Sequence, residues 1–320
     1  MNKITVIGGG TGSYTVLQGL KNYDIDLTSI VSTADSGGSS GSLRDEFGVL
    51  PPGDLRRCLV ALSEKRSDIW RRIFEYRFDG QKENNNLGNL ILTALTKITG
   101  DLPGALDVAS ELLEAKGKVL PATLDKSDLC AQLSDGRIVV GESAIDKPQH
   151  DTNLNIDKVF LEPRAFAYKK TISAIGDSDL IVIGPGDLYT SVVPNLLVEG
   201  ISEAIRNSRA KKIYITNIMT KNGETDNFCA QDFAGVVEKY LGGPLDFVLV
   251  NNHEPSPKLL DTYLAEKSFF VKPEFSLPHN YEVVLADLAD EEPLAQENGK
   301  TRPLIRHDSE KLARAIMNLL

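Results

Sequence analysis

ITVIGGGTGS, residues 4–13, decides how this chain is read. A short β-type run breaks abruptly into glycine, and from Ser13 to Leu20 apolar residues recur at helical spacing. Strand, loop and helix follow in quick succession. The same break recurs in SIVSTADSGG (29–38), LIVIGPG (180–186), IYITNIM (213–219) and FVLVNNH (247–253). Short Val/Ile-rich runs separated by helix-length stretches read as buried parallel strands, which makes the fold class α/β. Ligands of such sheets collect outside the carboxyl ends of the strands.

Three of the loops at those ends suit a phosphate. The first holds Gly9, Gly10, Thr11, Gly12 and Ser13; the second runs from Gly37 through Gly38, Ser39 and Ser40 to Ser42; the third is Gly184-Pro185-Gly186. Glycine lets backbone N–H groups turn toward an anion, and a following helix adds its positive end. Beyond the third loop, Asp187, Tyr189, Thr190 and Ser191 add polar groups for a second phosphate or a sugar, and Asn217 adds another beyond the next strand. The expected partner is a phosphorylated, nucleotide-type small molecule.

Composition narrows the alternatives. The 320 residues carry a net charge of −10, which argues against a nucleic-acid polymer because its backbone needs a basic face. Three scattered cysteines, Cys58, Cys130 and Cys229, suggest neither a disulfide framework nor a zinc site, and they fit a reducing cytoplasm. Met1 leads directly into a strand and no apolar run approaches membrane-spanning length, so no membrane insertion is expected. A homodimer is a candidate assembly from chain size alone.

The whole chain, 1–320, reads as one α/β unit. Helices are expected over 66–77, 87–98, 103–116, 227–241 and 309–319, with a polar loop over 289–300. Between about 118 and 161 the pattern changes to short β-type runs joined at Asp135-Gly136, a hairpin turn signal, which reads as a small antiparallel insertion.

Several motifs carry competing readings. The first loop has Ser13 where a dinucleotide fingerprint needs its third glycine, and no Walker lysine follows. Asp35 stands where a carboxylate could hold a ribose hydroxyl or a Mg²⁺ ion; an Asx turn into Gly37 explains it equally well. Arg44 or Arg56 could clamp phosphate oxygens, and Asp54 could cap a helix or supply a second metal carboxylate. Asn86 and Asn89 open a helix, where they contact a base or sugar or simply cap it. Finally, Gly37-Gly38-Ser39-Ser40-Gly41 satisfies the G-x-S-x-G pattern of a nucleophile elbow, which would make Ser39 the nucleophile of a serine hydrolase.

Taken together, IGGGTG (7–12), TADSGGSSGSLR (33–44), PPGDLRRCL (51–59), LGN (87–89), DLIVIGPGDLYTSVVPNLL (179–197) and TNIMTKNGETD (216–226) resemble the gluconeogenesis factor family. These are the bacterial relatives of 2-phospho-L-lactate transferase in the CofD-like superfamily. The resemblance implies a Rossmann-like, doubly wound core with its ligand cleft at these loops. In the transferase branch it implies a nucleotide-activated phospholactate donor, a deazaflavin acceptor and a divalent metal held by the loop carrying Asp35. In the gluconeogenesis factor branch, which the motifs match better, it implies binding of UDP-type nucleotide sugars and a role in cell shape and growth on gluconeogenic carbon. Two positions depart from the family: Ser36 stands where an Asp-Asp pair would be completed, and Asn84-Asn85 replaces a Gly-His pair. Both departures weaken metal-assisted transfer and leave binding intact.

Overall fold

The computed structural model describes residues 1–64, 68–78, 86–149, 151–290 and 305–320. Asn84, Asn85, His150, the first two residues of the helix expected from 66 and residues 291–300 of the polar loop expected over 289–300 lie outside these described residues.

Among the described residues the strands are β1 (Asn2–Gly8), β2 (Ile25–Val31), β3 (Lys118–Pro121), β4 (Asp128–Leu133), β5 (Ile138–Val140), β6 (Ile156–Glu162), β7 (Leu180–Ile183), β8 (Lys211–Ile215), β9 (Phe247–Asn251), β10 (Glu282–Ala286), β11 (Ala289–Asp290) and β12 (Arg306–His307). The helices are α1 (Gly10–Leu20), α2 (Gly38–Phe47), α3 (Gly53–Leu62), α4 (Asp68–Glu75), α5 (Leu87–Thr99), α6 (Leu102–Leu112), α7 (Glu142–Asp146), α8 (Lys169–Gly176), α9 (Val193–Leu197), α10 (Ile201–Asn207), α11 (Ala230–Leu241), α12 (Pro257–Leu264) and α13 (Ser309–Met317). A π-helical turn, Leu188–Val192, leads into α9.

Seven strands form one parallel sheet in the order β10-β9-β8-β7-β1-β2-β3. The order reverses between β1 and β7, where Ile4 is in register with Leu27 on one side and Leu180 on the other. This is the doubly wound arrangement, with its crevice at the reversal.

The apolar runs explain why both faces are covered. Along β7, Leu180 and Val182 enter one core while Ile181 and Ile183 enter the other; along β8, Ile213 and Ile215 oppose Tyr214 in the same way. A strand whose side chains alternate between two buried layers has no need of polar residues at every second position, hence the near-continuous Val/Ile runs.

The insertion is a three-stranded antiparallel sheet, β5-β4-β6, with its hairpin at the expected Asp135-Gly136 turn. It begins later than the sequence pattern indicated. Lys118–Pro121 pairs in parallel with β2 at the edge of the main sheet. Four residues are too few for periodicity to tell a parallel edge strand from an antiparallel one. The second glycine loop also differs from expectation: from Gly38 onward it is helix α2, which Gly and Ser composition concealed.

Candidate functional site

Helices α1, α2 and α3 all begin at the carboxyl edge of the sheet near the strand-order reversal. Their N-cap residues are Gly9, Gly37 and Pro52, none of which caps its helix with its own side chain. The first N–H groups of a helix have no intrahelical acceptor, and they carry the positive end of its dipole. Residues from all three first turns line one cavity of about 640 Å³. A loop from β7 supplies the facing wall. A Cβ on Gly12 would collide with the Pro185 carbonyl oxygen, so only glycine lets the two loops touch.

The cavity collects Gly9, Gly10, Thr11, Gly12, Asp35, Gly38, Ser39, Ser40, Asn89, Pro185, Gly186, Asp187, Thr190, Ser191 and Asn217 from five separate stretches of chain. Six residues singled out in sequence are placed outside it, each for a local reason. Ser13 is fully buried inside α1, and the Gly184 N–H is used by the Ile7 carbonyl at 2.9 Å. Tyr189 belongs to the hydrophobic core. Ser36 turns toward the insertion, its Oγ accepting from the Ser143 N–H at 3.0 Å. Arg44 is held in an ion pair with Asp128 of β4. Asn86 caps α5, its Oδ1 accepting from the Asn89 N–H at 3.1 Å.

Ser39 is not on an elbow. Strand β2 ends at Val31, residues 32–37 intervene, and Ser39 sits in the first turn of α2 with its hydroxyl accepting from the Asn89 amide at 3.2 Å. A nucleophile elbow requires the serine directly after the strand, so the hydrolase reading is set aside.

The site also contains Asp54, which the sequence offered as a helix cap or a second metal carboxylate. Asp54, at the start of α3, has its Oδ2 where a Cβ on Gly9 would approach to 2.6 Å, and the Gly10 N–H bonds to its carboxylate. Burial, then repulsion from Asp35, pushes its carboxyl up to about 6. Asp35 makes the expected Asx turn, Oδ1 accepting from the Gly37 N–H at 2.8 Å, and it also lines the cavity. The departure at position 36 is therefore offset: the second carboxylate beside Asp35 comes from α3. Asp35 and Asp54 are the two carboxylates that could hold one hard cation, with phosphate oxygens and water as its remaining ligands, as is usual for Mg²⁺. No group of three or more His, Cys, Asp or Glu side chains suited to a metal ion occurs among the described residues.

The insertion contributes Glu142, Asp146 and Lys147 from α7. Burial, then Asp35 and Asp146, raises the Glu142 carboxyl to about 8. Asp146 also pairs with Lys221, whose Nζ lies 3.0 Å from Asp187 and 2.8 Å from the buried Glu224. Burial opposes the charge on Lys221, but Glu224, Asp187 and Asp146 together outweigh it and raise its pKa. This clasp joins the insertion, the π-helical turn and the loop after β8. Arg56, Arg57 and Arg77 complete the wall on the α3 side. Asp54 and Arg56 had a signal in the Pro-Gly-Asp helix start; the α7 residues had none, because the tertiary fold brings the insertion back over the sheet.

The profile described as 2-phospho-L-lactate transferase CofD matches residues 4–289. A Bacillus subtilis protein named gluconeogenesis factor is 40% identical over 322 residues, covering 99% of this chain and 98% of that one. A Thermotoga maritima relative is 42% identical over 316 residues, covering 98% of each. A crystal structure of a Bacillus halodurans protein superposes with a TM-score of 0.88 at 38% identity over 99% of both chains. The chain belongs to the CofD family of 2-phospho-L-lactate transferase relatives, alongside the proteins named gluconeogenesis factors.

Proposed function

We propose that the protein binds a UDP-type nucleotide sugar and acts through it as a regulator of cell shape, envelope homeostasis and growth on gluconeogenic carbon. The observation that supports this best is the convergence on one cavity of three helix N-termini whose N-cap residues supply no side-chain cap. A diphosphate offers enough anionic oxygens to use all of them. The relatives' shared name, gluconeogenesis factor, supports the part of the reading that concerns growth on gluconeogenic carbon. Mg²⁺ between Asp35 and Asp54 would neutralise diphosphate charge, while the glycine-loop amides orient the phosphates. No helix among the described residues is long and apolar enough to cross a membrane. We place the protein in the cytoplasm, with a homodimer as the candidate assembly.

Calorimetry against UDP-N-acetylglucosamine, UDP-glucose, GDP and NAD, with and without Mg²⁺, tests this reading. A UDP-sugar should bind in preference to the others and be recovered intact; no heat from either UDP-sugar overturns it.

The family name and the Asp35–Asp54 pair favour a second reading, transfer of a phosphorylated group from a nucleotide donor. Consumption of the nucleotide only when an acceptor is present would establish transfer over regulation.

A further inference from the structure

The cavity has two unlike flanks. In the strand order β8-β7-β1-β2, the side of β8 carries the apolar Ile218 and Met219 just beyond that strand together with Ile305, beside Asn217, Arg306 and His307. The opposite side belongs to the connection between β2 and β3, and there stand Arg56, Arg57 and Arg77. Arg56 is only 5% exposed. Its Nε donates to Asn89 Oδ1 at 2.9 Å and its Nη1 to the Phe74 carbonyl at 3.0 Å, while Arg57 Nη1 donates to Thr11 Oγ1 at 2.9 Å.

All three acceptors are neutral. Among the described residues neither Arg56 nor Arg57 has a carboxylate within ion-pair distance. Buried cations in proteins are ordinarily paired, because desolvation costs more than neutral hydrogen bonds return. Among the described residues, then, a costly cation stands at the wall of a ligand cavity with no carboxylate in contact with it.

A nucleotide sugar laid across the reversal point would put its flat base against Ile218, Met219 and Ile305 on the β8 side and its diphosphate over the helix N-termini. Its sugar then falls on the arginine flank. We propose that Arg56, supported by Arg57 and Arg77, recognises a carboxylate on that sugar, so that the preferred ligand is an acidic nucleotide sugar. The planar guanidinium matches a carboxylate in two parallel bonds, which neutral hydroxyls cannot reproduce. The inference rests on the nucleotide-sugar reading above.

Titration calorimetry at constant ionic strength with UDP, UDP-glucose and UDP-glucuronate tests it. The two sugars differ only in replacing a CH₂OH by a carboxylate. The wild-type protein should bind UDP-glucuronate about tenfold more tightly than UDP-glucose, one charge-assisted pair's worth. In Arg77→Gln and Arg56→Lys that ratio should fall to near one. Arg77 is exposed, so its variant keeps the comparison available even if the buried substitution disturbs folding. Equal wild-type affinities, or a preference that survives Arg77→Gln and Arg56→Lys, overturn the arginine assignment and leave nucleotide-sugar binding standing. Absence of binding by all three compounds removes both readings together.

Discussion

Asp54→Asn should make the ligand-free protein more stable, and the gain should depend on pH in a particular direction. Asp54 is carried by α3 into a half-buried position against Gly9 and Gly10, where desolvation and Asp35 raise its carboxyl from 3.8 to about 6. An acid whose folded-state pKa is raised stays protonated on the folded chain at pH values where the unfolded chain has already ionised. Stability therefore falls as pH rises between about 4 and 6, and the penalty is fully present above that window. The rise corresponds to about 3 kcal/mol at neutral pH. Asparagine has nearly the same shape, and its side-chain oxygen can still accept from the Gly10 N–H. We expect Asp54→Asn to gain about 1–3 kcal/mol at pH 8, a rise of roughly 2–6 °C in thermal midpoint, and little at pH 4. Asp35→Asn should remove part of the same repulsion, so the double variant gains less than the two single gains added. Thermal melts by circular dichroism at both pH values provide the assay. A variant that gains equally at both, or is less stable at pH 8, would refute the electrostatic account. If the pair holds Mg²⁺, the ion should raise the midpoint of the wild type at pH 8 and much less that of Asp54→Asn.

Gly12→Ala should weaken UDP-sugar binding at least tenfold and cost about 1–3 kcal/mol of stability, because the added methyl forces the α1 loop off the Pro185 carbonyl; calorimetry and melts report the two effects separately. Lys221→Met leaves Asp146, Asp187 and buried Glu224 facing one another, and it should lower stability by about 3–5 kcal/mol in denaturant titrations at pH 8. Lowering the pH toward 5 should return part of that loss, because burial already lifts Glu224 to about 7. Asn86→Ala should cost about 1 kcal/mol through the lost cap of α5 while ligand affinity changes less than twofold, since Asn86 does not line the cavity.

The five apolar runs, each ending in small or polar residues, were enough to read parallel strands, an α/β class and a ligand edge. Their information is local: hydrophobic period and glycine placement act within about ten residues of chain. The same locality explains the misreadings. TADSGGSSGSLR holds too many Gly and Ser residues to look helical, yet tertiary contacts make α2 of it. Arg44 looked like a phosphate clamp until the insertion placed Asp128 beside it.

Local pattern, then, determined that glycine turns would sit at strand ends and that Asp35 would stand near them. Only the folded chain decided that Asp54 rather than residue 36 would be the neighbouring carboxylate, that Glu142 and Asp146 would reach the cavity from the insertion, and that Arg56 would be buried beside it. Those outcomes depend on burial and on charges brought together from distant parts of the chain. Neither quantity exists until the sheet has closed its two cores and the helices have been set against its carboxyl edge.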